Sequence, residues 1–158
     1  MEPRIETLKE KKLIGMKQIM SLTNNLTGKL WGEFAPRIHE INHKVSSEKI
    51  SMQVFDASWH LNFNPKNDFV KWATIEVKEL ESIPNKMEAF ILPGGLYAVF
   101  DYKGSSVDNS IFQYIYMNWI PNSEYQLDNR PHFEVLGEKY RNNDPTSEEE
   151  IWIPIKAK

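Results

Sequence analysis

Apolar residues recur at two different periods along the chain, and each period predicts a type of secondary structure. Two stretches have apolar side chains at the spacing of one helix face. Pro36 interrupts the first stretch, where it kinks the helix or marks a late start, and Pro121 ends the second. The helix positions are Leu30, Trp31, Phe34, Ile38 and Ile41 in the first stretch and Ile111, Phe112, Ile115, Tyr116 and Trp119 in the second.

The remaining apolar runs predict strands. Residues 69–80 show the clearest alternation of side chains between two faces. We expect a polar turn at 46–49, a long polar loop at 121–131, and an edge position for the last strand, because Pro154 cannot donate a ladder hydrogen bond. The predicted strands are 4–21, 51–57, 69–80, 87–92, 96–103, 133–140 and 149–155.

The predicted elements occur in the same order twice: strand, aromatic helix, strand, strand. Trp31 and Trp119 hold similar places in the two helices. We therefore predict an α+β fold, with a single domain over 1–158 made of pseudo-repeats at about 1–82 and 83–158. Two β-α-β-β halves with antiparallel sheets, related by a pseudo-two-fold axis, would enclose a central cleft, which is a common place for a ligand.

The composition indicates a globular protein and excludes several kinds of chemistry. Of the 158 residues, 41% are hydrophobic and 26% are charged, which suffices for a core without metals or disulfides. The absence of cysteine excludes disulfides, thiolate zinc sites and cysteine nucleophiles. The net charge of −3 argues against direct nucleic-acid binding, which needs a basic face. We expect a cytoplasmic protein, since no stretch predicts a signal peptide or a membrane span.

Aromatic residues are the unusual feature of the composition. They make up 12% of the chain and include five tryptophans. Such side chains fill cores, and they also form flat walls that bind aromatic or cationic compounds. Composition alone leaves both uses open.

Several motifs follow one another along nearly the whole chain. Residues 31–34 read Trp-Gly-Glu-Phe, and residues 72–77 read Trp-Ala-Thr-Ile-Glu-Val. The run Ile-Leu-Pro-Gly-Gly-Leu-Tyr-Ala-Val-Phe at 91–100 is the most distinctive, and runs at 114–123, 130–135 and 150–155 complete the set. In this order they resemble the GyrI-like small-molecule-binding family, which includes AraC-type effector-binding domains. Thr74 stands where the family commonly has glycine.

The resemblance implies a duplicated β-α-β-β fold with a pocket between the halves, roofed by aromatic side chains and holding buried acids. It implies a bulky hydrophobic, aromatic or cationic small molecule as the partner, bound in drug or toxin sensing or sequestration, with no cofactor and no metal. Members of this bacterial family occur alone or fused to DNA-binding modules. Because the predicted domain fills residues 1–158, we expect a stand-alone member that does not contact nucleic acid.

Two glutamates are the candidate charged residues of the site. Glu134 lies between Phe133 and Val135, which strand alternation places on the other face, and Glu76 ends a similar pattern on the face of Trp72. A carboxylate in an aromatic pocket neutralises a ligand cation, or acts as a general acid or base when burial raises its pKa. In a hydrolase, Glu76 and Glu134 would form the catalytic pair. The alternative is that both face solvent from half-exposed strands.

The candidate walls of the pocket are aromatic residues of the two helices and the neighbouring strands. Core packing is the alternative for each of them. The hydroxyls of Tyr97 and Tyr116 are also suited to donating a hydrogen bond to a ligand or to Glu134. The candidate wall residues are Tyr97, Tyr116, Trp119, Trp31, Phe34 and Trp72.

Two further motifs are attributed to ordinary structure. His39 and His43 flank Glu40 in an H-E-x-x-H pattern, which binds zinc when both histidines share a helix face. The segment follows the helix containing Pro36, which ends soon afterwards, and only His60 offers itself as a third ligand, so we predict no metal site. The acidic run at 147–150 is expected to be a solvated turn.

Three functions stay open at this point. The sequence favours a non-catalytic binding protein. The alternatives are a cofactor-free hydrolase of cyclopropane-bearing DNA-alkylating toxins that uses the same pocket, and a protein-binding gyrase modulator, both of which the resemblance suggests. Ligand turnover separates the first two, and an interaction assay tests the third.

Overall fold

Nine strands and two helical segments make up the computed structural model, which describes residues 1–158. None of the helices has the length and apolarity that a membrane crossing requires. The strands are β1 (Arg4–Leu8), β2 (Lys11–Met20), β3 (Lys44–Val54), β4 (Phe69–Val77), β5 (Glu88–Leu92), β6 (Gly95–Lys103), β7 (Tyr125–Leu127), β8 (His132–Leu136) and β9 (Glu148–Ala157). The helical segments are α1 (Thr27–Phe34), continued by a 3-10 helix (Ala35–Glu40), and α2 (Ser110–Tyr114), continued by a π-helical segment (Ile115–Trp119) and α3 (Ile120–Asn122).

The strand order of the sheet is symmetric about its centre. The strands pair antiparallel in the order β1-β6-β9-β8-β3-β4-β2-β5, and β7 pairs with the end of β9. Exchanging β1, β2, β3 and β4 with β5, β6, β8 and β9 maps this order onto its own reverse. The duplicated α+β fold is therefore confirmed, with the pseudo-two-fold axis between β3 and β8. Each half also lends its first strand to the other, because β1 pairs with β6 and β5 pairs with β2.

The two faces of the sheet are covered differently. On one side, which we call the helix face, α1 packs over a cluster that includes Ile75, and the α2–α3 segment packs over a cluster that includes Phe100. The opposite face carries a third apolar cluster, which includes Trp72, Tyr97 and Phe133. Because side chains alternate along a strand, the register assigns every strand residue to one of these faces.

Several element boundaries differ from the prediction. β3 begins at Lys44, so the polar residues 46–49 lie in a strand and not in a turn, and the register between Lys44 and Lys49 is irregular. β7 divides the loop predicted at 121–131. The predicted strand at 4–21 is two strands, β1 and β2. The boundary between pseudo-repeats predicted near residue 82 falls between β4 and β5, and this division stays a prediction.

The edge position predicted for the last strand is wrong, because β9 is an interior strand. It pairs with β6 on one side and with β8 and then β7 on the other. The Pro154 carbonyl accepts a hydrogen bond from the Asp128 amide at 3.0 Å on the β7 side. Since the N and O of a strand residue point to the same side, the missing N–H of Pro154 faces the gap between the last β8 pair at Trp152 and the first β7 pair at Ile155.

Candidate functional site

A band of polar side chains crosses the helix face at the pseudo-two-fold axis. The register places Lys71, Gln53 and His132 side by side on β4, β3 and β8. Ser51 and Glu134 form the next pair along β3 and β8. The apolar clusters beneath the two helical segments lie on either side and contain no residue of β3 or β8. The centre of the helix face is therefore polar where the two halves meet.

Glu134 is a half-buried acid within this polar band. Its Oε1 accepts a hydrogen bond from Gln53 Nε2 at 3.2 Å. Burial raises the pKa of Glu134, while the nearby charge of Lys71 and the hydrogen bond from Gln53 oppose that shift. A carboxylate that has lost part of its hydration gains from a cation or a hydrogen-bond donor placed beside it.

Glu149, on β9, is the second acid of the polar band. It shares the helix face with Ile151 and Ile153, and it is half-buried. Burial raises the pKa of Glu149 to about 7, the charge of Glu134 adds to the rise, and Lys71 opposes it. Sequence reasoning missed Glu149 because the run 147–150 was interpreted as a solvated turn, even though the predicted strand 149–155 began at Glu149. The structure places Glu148–Ala157 in β9. The alternation of Ile151 and Ile153 was the signal that could have found Glu149.

Lys71 brings the one positive charge among these groups, and it was not among the predicted site residues. It is buried, with 6% of its surface exposed. Burial lowers the pKa of Lys71, and the charges of Glu134 and Glu149 oppose the shift. Alternation along β4 places Lys71 on the helix face, and Trp72 on the opposite face. Glu134 lies on the helix face with Lys71.

Aromatic rings border one end of the polar band. Tyr116 Oη and His132 Nδ1 are hydrogen-bonded at 2.9 Å, and the His60 ring stacks on His132 with centroids 5.1 Å apart. Phe55 meets both imidazoles edge-on, and Trp59 packs against Phe55 at 4.4 Å. The loop after β3 thus folds over the ends of β3 and β8 and reaches the π-helical segment. Such segments are frequent at functional sites.

Burial favours the neutral form of both imidazoles at this end. Burial lowers the pKa of His132 well below its usual value, and the charges of His60 and Arg130 act in the same direction. Burial also lowers the pKa of His60, whose Nε2 is enclosed without a hydrogen-bond partner.

The structure does not bring the two predicted glutamates together. Glu76 lies on the opposite face, since its neighbours Ile75 and Val77 belong to the cluster beneath α1. It forms a salt bridge with Lys11 at 3.0 Å, and both side chains are partly exposed. The sheet therefore separates Glu76 from Glu134, and these two side chains do not form a catalytic pair.

Two of the predicted wall residues also lie on the opposite face. Tyr97 is fully buried, and its hydroxyl donates to the Pro131 carbonyl at 2.7 Å. Trp72 packs against Phe90 with centroids 5.3 Å apart. Neither ring faces Glu134, and the Tyr97 hydroxyl already has its acceptor.

The predicted wall residues of the helices divide between the site and the core. Tyr116 borders the polar band, as described above. Phe34, the last residue of α1, is fully buried on the side of the helix that faces the sheet. The Trp31 ring meets it edge-on, with centroids 5.7 Å apart. Trp119 is buried beneath the second helical segment, edge-on to Phe100 at 5.4 Å.

Two surface depressions, of about 420 and 440 Å³, lie away from the polar band. The first is between the N-terminal segment and the second helical segment and includes Tyr114 and Trp119. The second is beside α1 and includes Lys17 and Arg37. Both are open, and most of the residues that line them are polar. We place the candidate site at the polar band, where Lys71, Glu134 and Glu149 lie together and aromatic rings border one end.

The H-E-x-x-H pattern does not form a helix-borne ligand set. The 3-10 helix ends at Glu40, which is paired with Arg37 at 2.7 Å. His43 follows with a φ of 63°, so it does not share a helix face with His39. Its Nε2 lies 3.2 Å from Glu81 and 3.9 Å from Glu79, in an exposed acidic group of a kind that is common without a metal.

The symmetric sheet and its paired helical segments define a duplicated α+β domain. The model of the GyrI-like small molecule binding domain matches residues 1–156, and the chain belongs to this family. The transcriptional regulator BrlR of Pseudomonas aeruginosa is 30% identical over 145 residues, a match that covers 90% of this chain and 51% of BrlR. The chain thus spans about half the length of this curated relative.

Solved structures share the fold over nearly the whole chain. The C-terminal domain of EcmrR has a TM-score of 0.74 at 16% identity, covering 99% of this chain and 98% of that domain. SAV2435, solved bound to tetraphenylphosphonium, has a TM-score of 0.65 at 18% identity, covering 99% of this chain and 94% of SAV2435. At these identities the likeness establishes the fold alone.

Proposed function

We propose that this chain binds bulky aromatic compounds with a basic or cationic group, in a cleft over the polar band, where Glu134 contacts that group. The observation that carries the proposal is the half-buried carboxylate of Glu134 at the junction of the two halves. Burial raises the pKa of Glu134, which means that burial disfavours its charged form. A ligand cation beside the carboxylate stabilises that form.

The aromatic end of the polar band supports a flat or bulky ligand. The His60 ring lies 4.9 Å from the Phe55 ring and 5.2 Å from the Tyr116 ring, measured between centroids, so aromatic surface is concentrated here. A cation also gains from a position over an aromatic face. Membership of a small-molecule-binding family supports the same class of partner, and the related fold of SAV2435 is solved with an aromatic cation.

The loop between β3 and β4 is the part of the site that would have to move for a bulky ligand. Leu61 and Phe63 on this loop are 82% and 59% exposed, while Trp59 is buried against Phe55 and Phe69. Lifting the whole loop would break the ring contacts of Trp59 and His60, so movement at low free-energy cost is limited to the exposed tip around Leu61 and Phe63.

A pair of isosteric ions tests this proposal. Tetraphenylphosphonium and tetraphenylborate have the same shape and opposite charge. A ligand that binds only the folded state raises the melting temperature. We expect the phosphonium to raise it and the borate to leave it unchanged. Equal shifts, or a shift with the borate alone, would contradict the role given to Glu134.

Cofactor-free hydrolysis at the same place is a second candidate function, and Glu149 is the observation that favours it. Its pKa of about 7 suits a general acid or base at neutral pH, and Glu134 lies close enough to act on its charge. We propose this pair in place of Glu134 and Glu76. Mass spectrometry of an electrophilic cyclopropane compound after incubation tests it. Hydrolysis by the wild type that Glu149→Gln abolishes, with binding retained, supports catalysis, and unchanged compound excludes it for that substrate.

A further inference from the structure

Lys71 places an ammonium group beside the two acids without pairing it to either. Its side chain is buried, on the helix face between Gln18 of β2 and Gln53 of β3. The ammonium forms neither a hydrogen bond nor a salt bridge with the protein, and Glu134 and Glu149 act on it only through their charge. The hydrogen-bond partner of Glu134 is instead Gln53.

An ammonium in this position lacks the acceptors that it had in water. Lysines are rarely so buried unless they are paired. The side-chain nitrogens that are fully enclosed and have no hydrogen-bond partner are His60 Nε2 and Arg130 Nη1. Lys71 Nζ also has no partner but is not among them, so part of this nitrogen is exposed at the surface of the helix face. The alkyl chain of Lys71 is thus enclosed, while its charged end reaches the surface of the helix face. Such a group offers three donors to an incoming acceptor.

We propose that the ligand is zwitterionic: an aromatic compound whose carboxylate binds Lys71 and whose basic group binds Glu134 and Glu149. This inference rests on the proposed function and narrows its ligand class. A simple cation brought to Glu134 is also repelled by Lys71, which reduces the net attraction. A zwitterion satisfies both signs of charge and gives the Lys71 ammonium the acceptor that the protein does not provide.

A rhodamine with a free carboxylate and its methyl ester tests the inference, because the two dyes share one cationic ring system. Fluorescence anisotropy at neutral pH gives both dissociation constants. A charge-assisted hydrogen bond predicts that the wild type binds the free acid about tenfold tighter than the ester. Lys71→Met should abolish this preference, and Lys12→Met, the same change at an exposed lysine, should retain it.

The outcomes separate this inference from the proposed function. Equal binding of the two dyes by the wild type, or a preference that persists in Lys71→Met, overturns the zwitterion and identifies Lys71 as an internal counterion of the acids. If the zwitterion is overturned in this way, the proposed function still holds when the wild type binds the ester and Glu134→Gln does not. Binding of neither dye contradicts the proposed function, and the inference with it. Equal binding of the two dyes by the wild type overturns the inference even if Lys71→Met does not fold.

Discussion

The phenol of Tyr116 and the imidazole of His132 are joined by a 2.9 Å hydrogen bond, which links the π-helical segment to β8. His60, from the loop of the other half, stacks on the same imidazole. The three rings therefore tie both halves together at one end of the polar band. A ligand bound at the proposed site would contact this group directly, so the hydrogen bond should influence both stability and affinity.

Replacing Tyr116 by Phe should lower the free energy of unfolding by about 1 kcal/mol, because His132 Nδ1 then lacks its partner. The same change should weaken ligand binding severalfold, since the ring is less firmly oriented. Urea unfolding and dye titration measure the two effects. Tyr114→Phe is the matched control: its hydroxyl donates to the Met1 carbonyl at 3.0 Å, away from the polar band. Equal affinity losses in both variants would contradict the placement of the site.

The raised pKa of Glu149 makes stability depend on pH. The folded-state pKa of about 7 exceeds the ordinary value of 4.5, so the folded state holds the proton more tightly than the unfolded state. The contribution is fully present below pH 4.5 and is lost as the pH rises through about 7. The unfolding free energy of the wild type relative to Glu149→Gln should therefore fall across this window. A difference that is flat or rises with pH would show that Glu149 is not buried in this way.

Phe34 separates core packing from ligand contact. It was a candidate wall residue, and it lies fully buried beneath α1, away from the polar band. Phe34→Leu removes buried volume and should destabilise the protein by on the order of 1–2 kcal/mol. Ligand affinity, measured where the variant is folded, should not change. A clear affinity loss at constant fold would return Phe34 to the pocket wall.

Much of the fold followed from periodicity alone. The helical spacing of residues 30–41 and 111–119 identified both helical segments, and alternation in 69–77 correctly separated Trp72 from Lys71. The segment 44–49 was missed because its residues are mostly exposed and polar, and its register with β4 is irregular. The edge position predicted from Pro154 was wrong for a related reason. Whether an interior strand can hold this proline depends on where the neighbouring strands β8 and β7 end.

The site was harder to predict than the fold because alternation assigns residues to alternate faces but does not say which face is which. Glu76 and Glu134 both alternate with apolar neighbours, yet only the pairing of β3 with β4 and β8 shows that they lie on opposite sides. Lys71 and Glu149 resemble ordinary surface charges in the sequence. Their burial arises from strands distant in the chain, so the local alternation gives their face but not how deeply they are buried.

Glu134, and not Glu76, is the acid that we propose contacts the charged group of the ligand. Isothermal titration calorimetry of tetraphenylphosphonium against the wild type, Glu134→Gln and Glu76→Gln distinguishes the two acids. Both substitutions remove one carboxylate from a β-strand, but Glu76 is paired with Lys11 on the opposite face. We expect Glu134→Gln to weaken binding about tenfold or more and Glu76→Gln to leave it within about twofold. Wild-type affinity in Glu134→Gln, or an equal loss in Glu76→Gln, would contradict the claim.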